Sequence, residues 1–377
     1  NNFQETNSIE IHPIPKEVKT LIDCCDYICN TYTPDPRYSL ATICADETRV
    51  VINSNHAITD GGYFTYFLND VQDPLFKNKF ARKAPEPRDI ITDLFKKEFD
   101  AFLSRKDKDH FSTIGYNDIT RLKSQEMTDL PDHYNKSSSS LRATIKTAEL
   151  SPCIFNKKTR KIKHLTEFLW TGLCMAINAK NNEFGPFGVG SCMNFRRLLP
   201  REKVDQSFGS AYSDFFLAIH EVSPRMTIKE ICSLFRANFN KIKNTDFFYK
   251  EYMFPTQCLM ENCPISDVSN VGPIRIKSPL KDFYIQCSSN EYGLRPFLQV
   301  TSFSKLKKED GINDLMLHLR YSPFIVSTKN AGEIFDTFLY FLKNVNESKK
   351  SGDVLDELIH FQKSLAYYYI YYLLLVI

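Results

Sequence analysis

The stretch that decides the fold spans residues 53–62 and reads NSNHAITDGG. It follows a short apolar run and precedes a helix-like run. A histidine placed after a strand can act as a general base, because its pKa lies close to neutral pH. The pattern H-x-x-x-D-G, made by His56, Asp60 and Gly61, therefore predicts a catalytic loop. A plainer alternative stays open, in which His56 is an ordinary loop residue and Asp60 caps the following helix.

The residues around this stretch predict a mixed α/β chain. Apolar runs at residues 39–44 and 49–52 predict a hairpin, and residues 88–104 have the apolar period of an amphipathic helix. Residues 134–151 contain the run SSSS and few large apolar groups, so we interpret them as a linker. Helices and strands then mix without a strict βαβ order, which indicates mixed sheets with flanking helices rather than a barrel or propeller.

Sequence patterns in the second half predict a helix and several strands. Residues 165–179 predict a helix, with Thr166 as its N-cap. Separate strands are predicted at residues 265–268 and 273–276, which leaves the intervening Ser-Asn-Val-Gly either as a turn or as part of a site. A further strand is predicted at residues 282–287.

We divide the chain into two subdomains and a tail. The N-terminal subdomain covers residues 1–134 and is expected to be incomplete at its start, and the C-terminal subdomain covers residues 153–364. The apolar tail at residues 365–377 would span about 20 Å as a helix, less than the roughly 30 Å hydrocarbon core of a bilayer. This difference favours an element packed on the protein body, and makes membrane contact through the tail the less favoured alternative.

Composition excludes several classes of protein. Of the 377 residues, 42% are apolar and 25% are charged, as in globular chains rather than disordered or fibrous ones. The 48 basic and 45 acidic side chains leave a net charge of +3, so no basic field predicts a nucleic-acid partner. The 11 cysteines show no zinc-type spacing, so we expect no metal site and free thiols in a reducing, cytoplasmic setting.

Two further segments accompany the histidine pattern in a characteristic order. Residues 193–196 read Met-Asn-Phe-Arg at the end of a predicted strand, and residues 269–272 read Ser-Asn-Val-Gly. Together the three segments resemble the chloramphenicol acetyltransferase-like superfamily. That group includes alcohol acetyltransferases, the plant BAHD acyltransferases and peptide-synthetase condensation domains. In it, the arginine of the second segment pairs with the aspartate of the histidine motif, which implies an ion pair between Asp60 and Arg196.

The resemblance implies a two-subdomain fold with an active-site channel between the halves, and it implies acyl transfer. His56 would take the proton from an acceptor alcohol or amine as that group attacks an acyl thioester. Ser269 and Asn270 would stabilise the oxyanion, whereas Asp60 and Arg196 would orient the loop. The family also implies acyl-CoA as donor and co-substrate, acetyl as the acyl group and no bound cofactor. We further expect a monomer.

Two positions depart from the family pattern and leave alternatives open. Asn194 stands where the family has aspartate, and Asn55 stands where condensation domains have a first histidine. Asn55 disfavours a carrier-protein-dependent enzyme of the condensation type, which remains a second interpretation. Asn194 and the short first half favour a third, a non-catalytic protein that keeps the fold for binding or as a scaffold.

Overall fold

The computed structural model describes residues 10–35, 38–56, 59–72, 92–94, 96–97, 100, 104, 118–123, 139–159, 161–196, 212–243, 265–287, 297–306, 314–323 and 325–376. The first elements form a three-stranded sheet in the order β1 (Ile11–Pro13), β2 (Ala41–Ala45) and β3 (Val50–Ser54). Strands β2 and β3 are antiparallel, so the predicted hairpin is confirmed. Helix α1 (Leu21–Thr31) packs on this sheet and begins with a capping box built on Thr20.

A six-stranded sheet carries most of the remaining fold. Its strands in spatial order are β4 (Ser139–Lys146), β11 (Asp314–Tyr321), β10 (Phe297–Leu306), β9 (Ile265–Arg275), β7 (Phe187–Asn194) and β8 (Tyr212–Ile219). Strand β9 is parallel to both of its neighbours and the other pairs are antiparallel, so the sheet is mixed, as predicted. The short strands β5 (Phe155–Asn156) and β6 (Lys161–Ile162) form a separate ribbon.

Helices cover both faces of this sheet. Helix α2 (Gly61–Val71) contacts β9 on one face. On the other face lies α3 (Leu165–Asn181), which also contacts α4 (Ile228–Lys243), α5 (Thr328–Asn344) and α6 (Ser351–Val376). Every residue of α3 from 167 to 179 is buried. The main hydrophobic core therefore lies between α3 and the sheet, and the α2 face remains available for a site.

The predicted linker at residues 134–151 is wrong, because it contains strand β4. Strand β4 pairs with β11 along its whole length. It is an edge strand of the sheet, with most of its residues only half-buried. An edge strand needs few large apolar residues, and its serines were therefore misleading. The predicted N-cap Thr166 is also wrong, since α3 is preceded by His164 in a left-handed conformation.

Two other strand predictions, at residues 265–276 and 282–287, are wrong. Residues 265–268 and 273–276 belong to one strand, so the Ser-Asn-Val-Gly segment is no turn. The pairing of β9 with β10 shifts at this segment, and Gly272 has a φ of +88°, as expected of a bulge. Residues 282–287 form no strand; they are irregular chain lying across the sheet. Consecutive aromatic residues there resembled a strand but pack on the sheet instead.

The remaining sequence predictions concern the C-terminal tail, residues 88–104 and the subdomain boundaries. The apolar tail continues helix α6 as far as Val376. Among the helices that the structure describes, none combines the length and the apolar character needed to span a bilayer. The amphipathic helix predicted at residues 88–104 lies largely outside the described residues. The subdomain boundaries at residues 134 and 153 stay predictions.

Candidate active site

A buried ion pair ties the H-x-x-x-D-G loop to the end of strand β7. Arg196 Nη1 donates to Asp60 Oδ2 at 2.9 Å, and the two side chains are 0% and 3% exposed. The predicted pair is therefore confirmed. Asn194 Oδ1 accepts from the backbone N–H of Arg196 at 3.1 Å and from its Nη1 at 3.2 Å. Asn194 thus orients the guanidinium without adding a second negative charge.

Asp60 also caps helix α2, so both sequence interpretations of this residue are correct. Its Oδ1 accepts from the backbone N–H of Tyr63 at 2.7 Å. The glycines allow the close approach: a Cβ on Gly62 would lie 2.5 Å from Arg196 Nη1, and one on Gly61 would lie 3.0 Å from a methyl of Val271. Gly61 therefore packs the loop against strand β9.

His56 lies in the turn between β3 and α2 and keeps access to solvent. Its ring centroid lies 4.8 Å from that of Tyr212 on β8. Withdrawal from water acts to lower the pKa of His56. Interaction with the Cys287 side chain outweighs that effect and raises the pKa to about 9, which favours the protonated form of His56.

Cys287 is the member of the site that sequence reasoning missed. Burial acts to raise the pKa of its thiol, but the electrostatic influence of His56 and Arg320 lowers it overall. The charge of Asp267 acts in the opposite direction. No motif surrounds Cys287 and it lies far from His56 in the sequence, so no sequence pattern points to it.

The two predicted oxyanion residues lie on opposite faces of strand β9. Asn270 donates from its amide to Thr166 Oγ1 at 2.9 Å, and its carbonyl accepts from Ser302 Oγ at 3.1 Å, on the α3 face. Ser269 alternates with Asn270 along the strand, which places it on the α2 face. Ser269 is therefore the one that shares a face with the loop, and its role as an oxyanion donor stays a prediction.

A cavity of about 320 Å³ lies elsewhere, lined by Phe184, Pro186 and Val222 among others. It sits at the start of strand β7, whereas the Asp60–Arg196 pair lies beyond the end of that strand. An eight-residue strand spans roughly 25 Å. The cavity is therefore remote from His56, and the channel between the halves stays a prediction.

Comparison with known proteins gives matches by structure. No protein-family model matches the chain, and no curated protein matches it significantly. The first condensation domain of the CDA synthetase matches with a TM-score of 0.59 and 9% identity, over 92% of this chain and 77% of that one. The epimerization domain from the third module of tyrocidine synthetase B matches with 0.55 and 11%, over 93% and 80%. The X-domain from teicoplanin biosynthesis, solved in complex with OxyB, matches with 0.56 and 11%, over 92% and 79%.

These likenesses establish the fold, and they correct one prediction. The predicted mixed α/β fold is confirmed, because the chain shares the fold of these condensation, epimerization and X-domains. The predicted partners, acyl-CoA with a small alcohol or amine, are wrong. The structures that share the fold are condensation, epimerization and X-domains of peptide biosynthesis. Condensation domains work on carrier-bound substrates rather than on acyl-CoA.

Proposed function

Since this chain has the fold of peptide-synthetase condensation domains, we propose that it is an acyltransferase acting on a carrier-bound thioester. The donor is an acyl group held as a thioester on the pantetheine arm of a carrier protein. The acceptor is an amine or a hydroxyl group of a second carrier-bound substrate rather than of a free small molecule. This is the interpretation that Asn55 disfavoured in the sequence.

Position 55 has a backbone role in this chain. The N–H of Asn55 donates to the carbonyl oxygen of Leu40 at 2.8 Å, which extends the pairing of β3 with the chain before β2. Any residue supplies that bond, so an imidazole at position 55 is not needed to form the loop. Of positions 55 and 56, only His56 would then take part in the chemistry of the proposed transfer.

The buried Asp60–Arg196 pair is the observation that carries the proposal. Removing two charges from water is unfavourable unless both are hydrogen-bonded, and here Tyr63 and Asn194 supply the additional bonds. The pair fixes the loop where β3, α2 and β7 meet, and with it the position of His56. Fixing a reacting group in one orientation is a large part of what an enzyme supplies.

A second candidate function is binding without catalysis. It is supported by the likeness to an X-domain and by the raised pKa of His56, which disfavours the neutral imidazole that a general base requires. In that case the chain would bind a carrier or another protein through the same face, as the X-domain neighbour was solved with OxyB.

A transfer assay separates the two candidates. The protein is incubated with an acylated carrier protein and an amine or alcohol acceptor on a second carrier, and the acylated acceptor is measured by mass spectrometry. We expect His56→Ala to lower turnover by about 10²–10⁴-fold. The control His220→Ala removes an imidazole that is 71% exposed just beyond β8, and should leave turnover unchanged. Equal turnover in His56→Ala, or carrier binding without transfer by the parent, would favour the binding function.

A further inference from the structure

We propose that the lysines of the β5–β6 hairpin bind the phosphate group that joins a pantetheine arm to its carrier. The proposal rests on the transferase function and deepens it, because it names a second group of the donor that the protein recognises. A pantetheine arm is attached to its carrier through a phosphodiester, which carries one negative charge. Lysine is a frequent ligand of phosphate groups in proteins.

The hairpin presents positive charge that the rest of the chain does not neutralise. No aspartate or glutamate occurs between residues 150 and 166. The four lysines of the hairpin that the structure describes are all exposed, and none of them forms an ion pair with the described residues. They are Lys157, Lys158, Lys161 and Lys163. Their charge is therefore available to an anion from outside the chain.

The two acidic residues that flank this stretch already have basic partners. Glu149 Oε2 lies 3.2 Å from Lys343 Nζ. The side chain of Glu167 is 3% exposed, and its Oε1 pairs with Nε of Arg236. Both flanking carboxylates are therefore engaged by other elements, and the hairpin is not neutralised by its own neighbours in the sequence.

The hairpin holds its lysines on an ordered backbone. Ile154 and Phe155 are 0% and 4% exposed and pack in the main hydrophobic core. The carboxamide Oδ1 of Asn156 accepts from the backbone N–H groups of Lys158 and Thr159, at 3.0 Å each. Because the backbone is ordered before a ligand arrives, little conformational freedom of the backbone is lost on binding.

The contacts of helix α3 place the hairpin at one end of the sheet. Trp170, near the start of α3, donates to Ser191 Oγ at 3.2 Å. Asn178, near its end, donates to the carbonyl oxygen of Pro186 at 3.1 Å. Helix α3 therefore runs antiparallel to β7, and the hairpin that precedes α3 lies toward the end of β7 at which Arg196 follows.

The hairpin and the catalytic loop lie on opposite faces of β9 at the same level. Asn270 donates on the α3 face to Thr166, three residues after the hairpin. The next residue, Val271, packs on the α2 face against the first glycine of the loop. Strand β7 ends and strand β8 begins at this level, and His56 lies beside Tyr212, the first residue of β8. The end of the sheet, rather than its middle, therefore separates the lysines from His56.

This separation suits the chemistry of a pantetheine arm. The phosphate is at the carrier end of the arm and the thioester is at the other end. A phosphate site must therefore lie near the reacting histidine but not at it. Lysines in that place contribute to binding the donor, and they take no part in the bonds that form and break. Their removal should raise the KM for the acylated carrier and leave kcat unchanged.

The first test measures binding without catalysis. Calorimetry compares phosphopantetheine with pantetheine, which lacks the phosphate, on the parent and on Lys157→Gln/Lys158→Gln. We expect the parent to prefer the phosphorylated compound. The double variant should lose affinity for that compound alone by about 2- to 30-fold, the range that two exposed ion pairs give. Added salt should reduce the preference. Equal affinity of the parent for both compounds would overturn the proposal.

The matched control is Lys329→Gln/Lys363→Gln, which removes the same charge from two exposed lysines. Both lie toward the other end of α3. Lys329 is one helical turn before Glu333, whose partner is Lys180, and Lys363 follows the residue that donates to the carbonyl oxygen of Ala176. The control should bind phosphopantetheine as the parent does. An equal loss in both double variants would attribute the effect to net charge and refute the site.

The second test uses the carrier itself. A carrier that bears the arm and the same carrier without it are titrated against the parent and against Lys157→Gln/Lys158→Gln. We expect the double variant to bind the arm-bearing carrier more weakly and the bare carrier as the parent does. If the variant weakens both carriers equally, the hairpin binds acidic side chains of the carrier, and the assignment to the phosphate is wrong.

The outcomes separate this proposal from the transferase function. If the parent binds phosphopantetheine through these lysines but transfers no acyl group, the phosphate site is supported and the transferase function fails. If the parent transfers acyl groups and the double variant does so with the same KM for the acylated carrier, the phosphate site is refuted and the transferase function stands. A variant that lowers kcat at unchanged KM would also refute the site, because its lysines would then not act through binding.

Discussion

Replacing Asp60 with alanine should lower the free energy of unfolding by about 4–6 kcal/mol. Two interactions are lost together. The bond from the N–H of Tyr63 to Oδ1, at 2.7 Å, caps helix α2, and losing such a cap costs about 1 kcal/mol. The bond from Arg196 to Oδ2 lies in a site where the guanidinium is 0% exposed, and leaving one buried charge unpaired costs about 3–5 kcal/mol.

The measurement is urea unfolding followed by the fluorescence of Trp170, the one tryptophan of the sequence, which is 2% exposed in the core. Midpoints are compared at unchanged slope. The matched control is Asp100→Ala, which breaks an ion pair to Lys96 whose side chains are 62% and 71% exposed, and should cost less than about 1 kcal/mol. If Asp60→Ala loses no more stability than Asp100→Ala, the buried pair does not hold the loop as argued.

Three further predictions concern single positions. Gly62→Ala should destabilise the protein by about 1–3 kcal/mol, because a Cβ would lie 2.5 Å from Arg196 Nη1. Gly332→Ala in α5, where a Cβ meets nothing within 4 Å, should instead stabilise it by up to about 1 kcal/mol. Thermal unfolding of both variants checks the two predictions. Thr20→Ala removes the capping box of α1 and should cost about 1 kcal/mol in the same assay. Burial and the charge of Arg142 lower the pKa of His318 from 6.5 to about 4, so the unfolded chain takes up this proton at a higher pH than the folded chain does. The free energy of unfolding should therefore fall as the pH is lowered from 6.5 to about 4. The fall should be smaller in His318→Phe, and an equal fall would contradict the assignment.

The parts of the fold that followed from the sequence are those with a strong hydrophobic period. The hairpin of β2 and β3 and the buried helix α3 are examples, because their side-chain pattern is dictated by the core they face. Strand β4 was not predicted, because an edge strand is only half-buried and can be rich in serine. Strand β9 was divided in two because a bulge at Gly272 interrupts the alternation that a sequence pattern detects.

The residues of the candidate site likewise include some that the sequence predicted and some that it did not. Asp60 and Arg196 were found because both lie in short motifs with characteristic neighbours. Cys287 lies in irregular chain with no motif, and its influence on the pKa of His56 arises only in the folded chain. Asn270 was assigned to the site because it belongs to the right segment, but strand alternation directs it to the other face. Which side chains of a segment reach a site is a property of register, which the sequence alone did not give us.

The claim that the loop of His56 transfers an acyl group from a carrier-bound thioester is tested most directly by a single-turnover assay. An acylated carrier protein is mixed with an excess of the protein and an acceptor, and the acylated acceptor is measured by mass spectrometry. We predict transfer by the parent and by His220→Ala, and a rate about 10²–10⁴-fold lower in His56→Ala. Equal rates in the parent and in His56→Ala, or no transfer by the parent, would contradict the account.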